Sequence, residues 1–282
     1  MNIYIVIPAH NEQDTIDLTI NSLATQTYLP KKVIIVNDNS TDNTEQVINE
    51  LITKFSWLST VNSKSSEDHL PGSKIINAFY KGYETLDNDY DIICKFDADL
   101  IFPKHYLESI ISHFKSDDKL GMAAGFCYIQ KDDQWVIEGL TEKDHIRGAL
   151  KAYRKECFSE VGKLKRSMGW DTIDELLAQF YGWQIKTDSS LHVKHLKPTG
   201  SNYAKGSKYL QGEALYKLRF GFTLALLSSL KLAYKKKSFS LFKDYISGYL
   251  KASKAKISFL ITEDQGKFIR QLRWKKIFKK VF

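Results

Sequence analysis

Three runs along the chain carry apolar residues at successive positions rather than at alternate ones. They are Asn2-Ile-Tyr-Ile-Val-Ile-Pro8, Lys32-Val-Ile-Ile-Val-Asn-Asp38 and Asp91-Ile-Ile-Cys-Lys-Phe-Asp-Ala-Asp-Leu-Ile-Phe102. A strand with one wet face alternates apolar and polar residues, whereas an unbroken apolar run belongs to a strand buried on both faces. Such strands need helices on both sides of their sheet, and the intervening sequence supplies them. From Asp14, a capping residue type, to about Thr25, the residues Ile16, Ile20 and Leu23 share one helical face. After the polar turn Asn37–Thr44, Val47, Ile48 and Leu51 do the same. Strand, loop, helix, repeated, is the βαβ order of a parallel sheet. Ligands of such sheets bind at the carboxyl ends of the strands. Three polar loops fall there: residues 9–14, 37–43 and 97–99.

The third loop holds Asp97 and Asp99, one residue apart. Side chains at i and i+2 of an extended segment point the same way. Two carboxylates held close repel each other unless a cation lies between them. Hard oxygen donors at a strand end suit Mg2+ or Mn2+, with substrate phosphates completing the shell. A solvated strand-to-loop corner would have the same sequence, so the pair alone does not decide.

The rest of the body alternates in the same way. Residues 63–73 are polar, with Pro71-Gly72 as a turn. Lys74 to Thr85 and Pro103 to Phe114 have helical patterns. Gly121 to Ile129 reads as a strand, and Gly148 to Val161 is mixed, with Tyr153-Arg154-Lys155 expected at the surface. Met168 opens a helix reaching about Tyr181, closed by Gly182. Gln184 to Val193 is the expected last strand, followed by His195.

Charge divides the chain in two. Residues 204–282 hold 19 Lys and Arg against 4 Asp and Glu, a net +15 in a chain of net +8, which leaves the body mildly acidic. The expected organisation is therefore an α/β body over residues 1–203 and a basic, amphipathic helical extension over 204–282. Tyr209 to Tyr234 and Phe239 to Ile261 are its helical stretches. Its most apolar window, Phe220 to Leu230, is too short to span a bilayer and runs into Lys231. Such a charge asymmetry points to an anionic membrane surface, with a merely solvated basic face as the alternative. Nucleic acid is not expected, because no recognised nucleic-acid motif is present. The three cysteines form no Cys-x-x-Cys pair, so neither a zinc site nor a disulfide framework is expected. The start of the chain lacks the basic segment of a signal peptide. The expected location is the cytoplasm, peripheral on the inner face of the membrane.

Four stretches in order, Val6-Ile-Pro-Ala-His-Asn-Glu12, Val36-Asn-Asp-Asn-Ser-Thr-Asp42, Phe96-Asp-Ala-Asp99 and Trp170-Asp171, resemble the family 2 glycosyltransferases. That resemblance implies the GT-A fold, a Rossmann-like, mostly parallel sheet flanked by helices. It implies inverting transfer of a sugar from a nucleotide-diphosphate donor, UDP being favoured by family habit, with Mn2+ or Mg2+ as cofactor. Pro8, His10, Asn11 and Glu12 then form the first nucleotide loop, with the His10 imidazole where an aromatic ring is usual. Asp38 accepts a hydrogen bond from the base, although Asn39 replaces the customary glycine. Lys74 approaches the donor. Asp97 lies near ribose or metal, Asp99 binds the metal, and His195 is a possible third protein ligand, or else an ordinary surface histidine. Asp171 stands at the position of the catalytic base, without the family's preceding Glu; Asp174 and Glu175 are the fallbacks. The acceptor implied is lipid-linked or a polysaccharide.

Other enzyme classes have less support. No Gly-x-Gly-x-x-Gly or Walker A sequence occurs. A sugar-nucleotide pyrophosphorylase would need a glycine-rich basic loop after the first strand. An inactive nucleotide-sugar-binding, membrane-docking protein would not need Asp97, Asp99 and Asp171 together. Gln271-Leu-Arg-Trp274 is one residue short of the motif of processive synthases, so transfer of a single sugar is expected.

Overall fold

The unbroken apolar runs form the middle of the sheet. In the computed structural model, which describes residues 1–64, 72–139, 144–197 and 208–281, the described strands form one nine-stranded sheet. The first half contains β1 (Ile3–Ala9), α1 (Ile16–Ala24), β2 (Lys32–Asp38), α2 (Thr44–Lys54), β3 (Leu58–Ser63), α3 (Ser73–Tyr83) and β4 (Ile92–Phe96). Then come β5 (Leu100–Ile101), α4 (Tyr106–Ser116), β6 (Leu120–Lys131), β7 (Gln134–Ile137), β8 (Leu150–Arg154), α5 (Lys155–Glu160), α6 (Trp170–Phe180) and β9 (Gln184–His195).

Strands β3, β2, β1 and β4 lie side by side and parallel. Every residue of β1 is buried, as its continuous apolar sequence requires. Beyond β4 the sheet becomes mixed: β8 is antiparallel to β4 and β6, and β9 is parallel to β6. β5 pairs antiparallel with β9, matching Leu100 to His195.

Several local expectations are corrected. Asp14 does not cap α1; the helix starts at Ile16, and the Thr15 hydroxyl donates to Glu12 Oε2 at 2.5 Å instead. β3 was invisible in sequence because Leu-Ser-Thr-Val-Asn-Ser is too polar, as suits the outermost strand. Tyr153 is not at the surface: it is 1% exposed, within β8. β9 runs on through His195 rather than stopping at Val193. Of the polar segment 63–73, most lies outside the described residues. Gly72 takes φ +84°, and a Cβ there would lie 2.6 Å from the Ser167 carbonyl oxygen, so glycine is required at that contact.

The extension forms α7 (Lys208–Lys217), α8 (Phe222–Lys235), α9 (Phe239–Lys254) and α10 (Glu263–Val281). The single stretch expected from Tyr209 to Tyr234 is two helices, broken where Arg219 and Gly221 take left-handed φ. α7 and α9 cross so closely that a Cβ on Gly212 or Gly248 would overlap the partner helix's backbone. The body–extension boundary itself falls outside the described residues. Leu215, Phe220, Leu224 and Ile269 belong to the same buried cluster as the sheet. Phe268 of α10 packs on Phe180 of α6, with ring centroids 5.6 Å apart. Each such burial contributes about 1.5–3 kcal/mol, so the extension is part of the core rather than an independent arm. Only α8 and α9 are clearly amphipathic; α7 and α10 do not segregate apolar from polar residues. Among the described residues, no helix is long and apolar enough to cross a membrane.

Candidate active site

The loops after β1 and β2 are tied to each other by side chains. Asn11 N donates to Ser40 Oγ, Thr41 N to Asn11 Oδ1 and Glu12 N to Thr44 Oγ1. Asn11 and Asn39 both have positive φ, 56° and 57°. Asparagine is among the few L-residues that visit this region readily. Asn39 therefore adopts a glycine-like conformation at the position where glycine was missed. Pro8 and Asp38 are buried and the His10 ring is exposed, its Nδ1 2.7 Å from the Asp38 carbonyl oxygen. Lys74 lies in the first turn of α3, half-buried. Because α3 runs back to the start of β4, that turn lies at the carboxyl edge of the sheet. Lys197, just past β9, bonds Asn11 O and Glu12 Oε2, clasping the first loop.

Asp97 and Asp99 lie between β4 and β5. The β5–β9 pairing brings His195 beside them, and Leu196 N donates to Asp99 O. Ligand atoms of Asp97, Asp99 and His195 all lie within 4.8 Å of one another. Asp99 is 6% exposed and His195 3%, so this is neither a solvated corner nor a surface histidine. The imidazole is oriented from behind: Nδ1 lies 3.0 Å from Glu138 Oε2, and Nε2 faces Asp99 Oδ2 at 3.4 Å. Glu138 is itself held by Arg147 at 3.1 Å. A histidine whose outer nitrogen bonds a carboxylate presents the other to a metal. Burial would lower the His195 pKa, but Asp99 and Glu138 outweigh it and push it up to about 10. A divalent cation held by Asp97, Asp99 and His195 would bring positive charge to the same carboxylates. Cys127 also lies within reach of Glu138 and His195. Burial drives its thiol well above the usual range, so it stays protonated and is a poor ligand.

Lys95 precedes this pair and is buried at 1% exposure. Its ammonium pairs with Asp97 Oδ1, donates to Gly148 O at 3.1 Å and lies 5.4 Å from the Trp170 ring centre. Lys95 thus ties the acidic pair to the first residue of α6. Directly across the sheet, in register, lies the buried Lys151 of β8. Opposed like charges are costly unless each is compensated. Lys151 is compensated by Asp174 at 3.1 Å and Glu175 at 2.9 Å.

That pairing sorts the three acids of α6. Asp174 is 1% exposed and also accepts from the Tyr153 hydroxyl. Glu175 accepts from Ile146 N and pairs with His145 Nδ1 at 3.0 Å. Both carboxylates are taken up by partners within the protein. Asp171, in the first turn, keeps a side chain 35% exposed and lies 3.8 Å from His145 Nε2. Burial raises its pKa, but the His145 contact and the Lys151 charge more than offset this and hold it below the usual carboxylate value. Asp171 is therefore the ionised, accessible acid, with the accessibility a base needs.

Lys95, Lys151, Glu138, His145 and Lys197 were not among the expected site residues. The two lysines had a signal, since an ammonium inside an otherwise buried strand needs an acid beside it. Glu138, His145 and Lys197 had none, because the sheet brings them in from polar segments.

The sheet, parallel from β3 to β4 and mixed beyond, with loops gathered at its carboxyl edge, is that of a glycosyltransferase of the GT-A type. The model of glycosyl transferase family 2 matches residues 4–154, and the chain belongs to that family. It is 30% identical over 124 residues to a probable glycosyltransferase, YdaM, of Bacillus subtilis, covering 43% of this chain and 28% of that protein. It is 30% identical over 162 residues to a poly-beta-1,6-N-acetyl-D-glucosamine synthase of Staphylococcus aureus, covering 57% and 34%. The chain thus spans about a third of the length of these relatives. Among solved structures, the mannosyltransferase PcManGT of Pyrobaculum calidifontis, in complex with GDP-Man and Mn2+, shares the fold with a TM-score of 0.59. Sequence identity is 14%, over 99% of this chain and 81% of that one. S. aureus TarS 1-349 in complex with UDP-GlcNAc has a TM-score of 0.55 at 16% identity, over 89% and 73%.

Proposed function

We propose that this chain transfers a single sugar, with inversion, from a nucleotide-diphosphate donor to a lipid-linked or polysaccharide acceptor. The observation that carries this reading is the convergence of Asp97, Asp99 and His195 ligand atoms within 4.8 Å, linked through Lys95 to the helix bearing Asp171. Pro8, His10, Asn11, Glu12 and Asp38 hold the base and ribose, and Lys74 approaches the donor phosphates. Asp97, Asp99 and His195 would hold Mn2+ or Mg2+, which neutralises charge on the departing nucleotide diphosphate. Asp171 takes the proton from the acceptor hydroxyl as that oxygen attacks the anomeric carbon on the face opposite the leaving group. His145, at 3.8 Å, holds the Asp171 carboxylate in its ionised form. Inversion needs no covalent intermediate, and one base suffices.

UDP is the favoured donor nucleotide, supported by the UDP-GlcNAc complex of TarS, while the GDP-Man complex of PcManGT keeps GDP in the test. The polysaccharide synthase relatives support a glycan acceptor. Gln271–Trp274 lies on α10, where Arg273 packs on Phe220 and Trp274 stacks on Phe278; single transfer remains the reading. The basic extension would keep the enzyme on the inner membrane face. The test is a screen of UDP- and GDP-sugars with Mn2+ or Mg2+, read by mass spectrometry for donor hydrolysis and product. Hydrolysis of one donor, dependent on the metal, is expected. No hydrolysis of any donor, together with no UDP or GDP binding, would overturn the reading.

A further inference from the structure

The positive charge of the extension is not spread evenly over its folded surface. From Phe220 to Lys243 there is no Asp or Glu, while Lys231, Lys235, Lys236, Lys237 and Lys243 are all exposed. The segment covers α8, the turn after it and the first turn of α9. One face of α8 is spent on the protein: Leu224, Ala225, Ser229 and Ala233 are buried. The opposite face presents Leu227, Leu230 and Tyr234, spaced i, i+3 and i+7, at 40%, 48% and 83% exposure. Phe239, 65% exposed, continues this apolar line past the three consecutive lysines. Tyr234 and Phe239 are the two most exposed large apolar side chains among the described residues.

We infer that this face of α8, with the Tyr234–Phe239 corner, is an interfacial element that inserts its apolar stripe into an anionic lipid bilayer. The inference rests on the reading that the acceptor is membrane-borne, and it restricts docking to one corner of the extension. The core of a protein interface is depleted in lysine. Leucine and aromatic side chains bordered by lysines, with no acid among them, fit the headgroup–acyl boundary instead. The lysines meet anionic headgroups while the apolar stripe enters below them. The length of α8, 14 residues, suits lying in the interface and not crossing it. The inner faces of α7 to α9 and the Phe268–Ile269 side of α10 pack against protein, and at the far end of α10 the exposed apolar surface is Phe278 alone, 56% exposed, rather than a stripe.

The test uses the full chain and vesicles of phosphatidylcholine alone or mixed equally with phosphatidylglycerol. The wild type is expected to sediment with the mixed vesicles at low salt and to be released at high salt. Lys235→Glu/Lys236→Glu/Lys237→Glu should lower the partition coefficient about a hundredfold, at about fivefold per lysine. Leu230→Asp/Tyr234→Asp should lose binding as well. Lys254→Glu/Lys256→Glu/Lys275→Glu, the same charge change elsewhere on the extension, should keep most of it. A Tyr234→Cys variant labelled with an environment-sensitive dye should shift to the blue on the mixed vesicles, the three native cysteines being buried. UDP binding in the presence of Mn2+ should be unchanged in every variant. Equal loss in the two triple-lysine variants, or no dye shift, would overturn the inference. So would a dimer that the Leu230→Asp/Tyr234→Asp variant dissociates while vesicle binding persists, since the face would then be a protein interface. Absence of UDP binding in a wild type that still docks on vesicles would count against the proposed function alone.

Discussion

At the end of the site proposed to hold the metal, Lys95 and His195 meet Asp97, Asp99 and Glu138; at the end proposed to hold the base, Lys151 and His145 meet Asp171, Asp174 and Glu175. Each end has a buried lysine, a histidine and three acids, and the two lysines are register partners on neighbouring strands. The difference lies in how the acids are consumed. At the base end, Lys151, Tyr153 and His145 take up Asp174 and Glu175, and one carboxylate, Asp171, is left reaching solvent. At the metal end, Lys95 takes one oxygen of Asp97, and Glu138 serves the histidine from behind. Ligand atoms of Asp97, Asp99 and His195 then converge. The same residue types thus leave a lone accessible carboxylate in one place and a convergent set of donor atoms in the other. What decides is which acids the protein's own cations occupy.

The comparison breaks most visibly if the wrong acid of α6 is removed. Asp171→Asn is expected to lower turnover by about 100-fold or more while leaving stability and UDP affinity intact. Asp174→Ala should instead destabilise the fold by about 3–5 kcal/mol, because Lys151 and Tyr153 lose a buried partner. Denaturant unfolding and steady-state turnover on both variants separate these outcomes. A mild Asp171→Asn together with a stable, inactive Asp174→Ala would exchange their roles.

The metal end is sharpened by Glu138. Glu138→Gln is expected to weaken Mn2+ binding by about 10–100-fold, the usual effect of losing a carboxylate behind a ligating histidine. Electron paramagnetic resonance of free Mn2+ reads this without turnover. Unchanged affinity would mean that His195 is not a ligand.

The smallest effect concerns His145. Burial lowers its pKa, but Asp171 and Glu175 more than compensate and push it up to about 9, from 6.5. A raised folded-state value means the stabilisation is fully present below about 6.5 and is lost as pH rises through about 9. The melting temperature should therefore fall across that window, by about 2–4 °C per kcal/mol lost. His145→Gln should flatten this part of the profile, and an unchanged slope would remove His145 from the network.

How much of this was readable from sequence follows the same division. β1, β2 and β4 were legible because burial on both faces leaves no alternation, and Asp97 and Asp99 because charge at the end of such a strand is conspicuous. Asp171 was reached only through the family resemblance. Periodicity could not separate it from Asp174 and Glu175, because burial of the latter two depends on Lys151, a strand away. Glu138 and His145 were illegible for the same reason, since the β6–β7 hairpin and the approach to β8 deliver them to partners 57 and 30 residues distant. β3 was lost because an outermost strand tolerates polar residues. The extension was legible as basic and helical, but its share in the core was not, since composition does not say which face of a helix is covered.

The division into a donor-binding metal end and a chemical base end is tested most directly by calorimetric titration of UDP into Asp99→Asn and Asp171→Asn with Mn2+ present. The account predicts that Asp171→Asn binds UDP like the parent, whereas Asp99→Asn, still folded, loses most Mn2+-dependent affinity. Parent-like binding by Asp99→Asn, or loss of binding in Asp171→Asn, would contradict it.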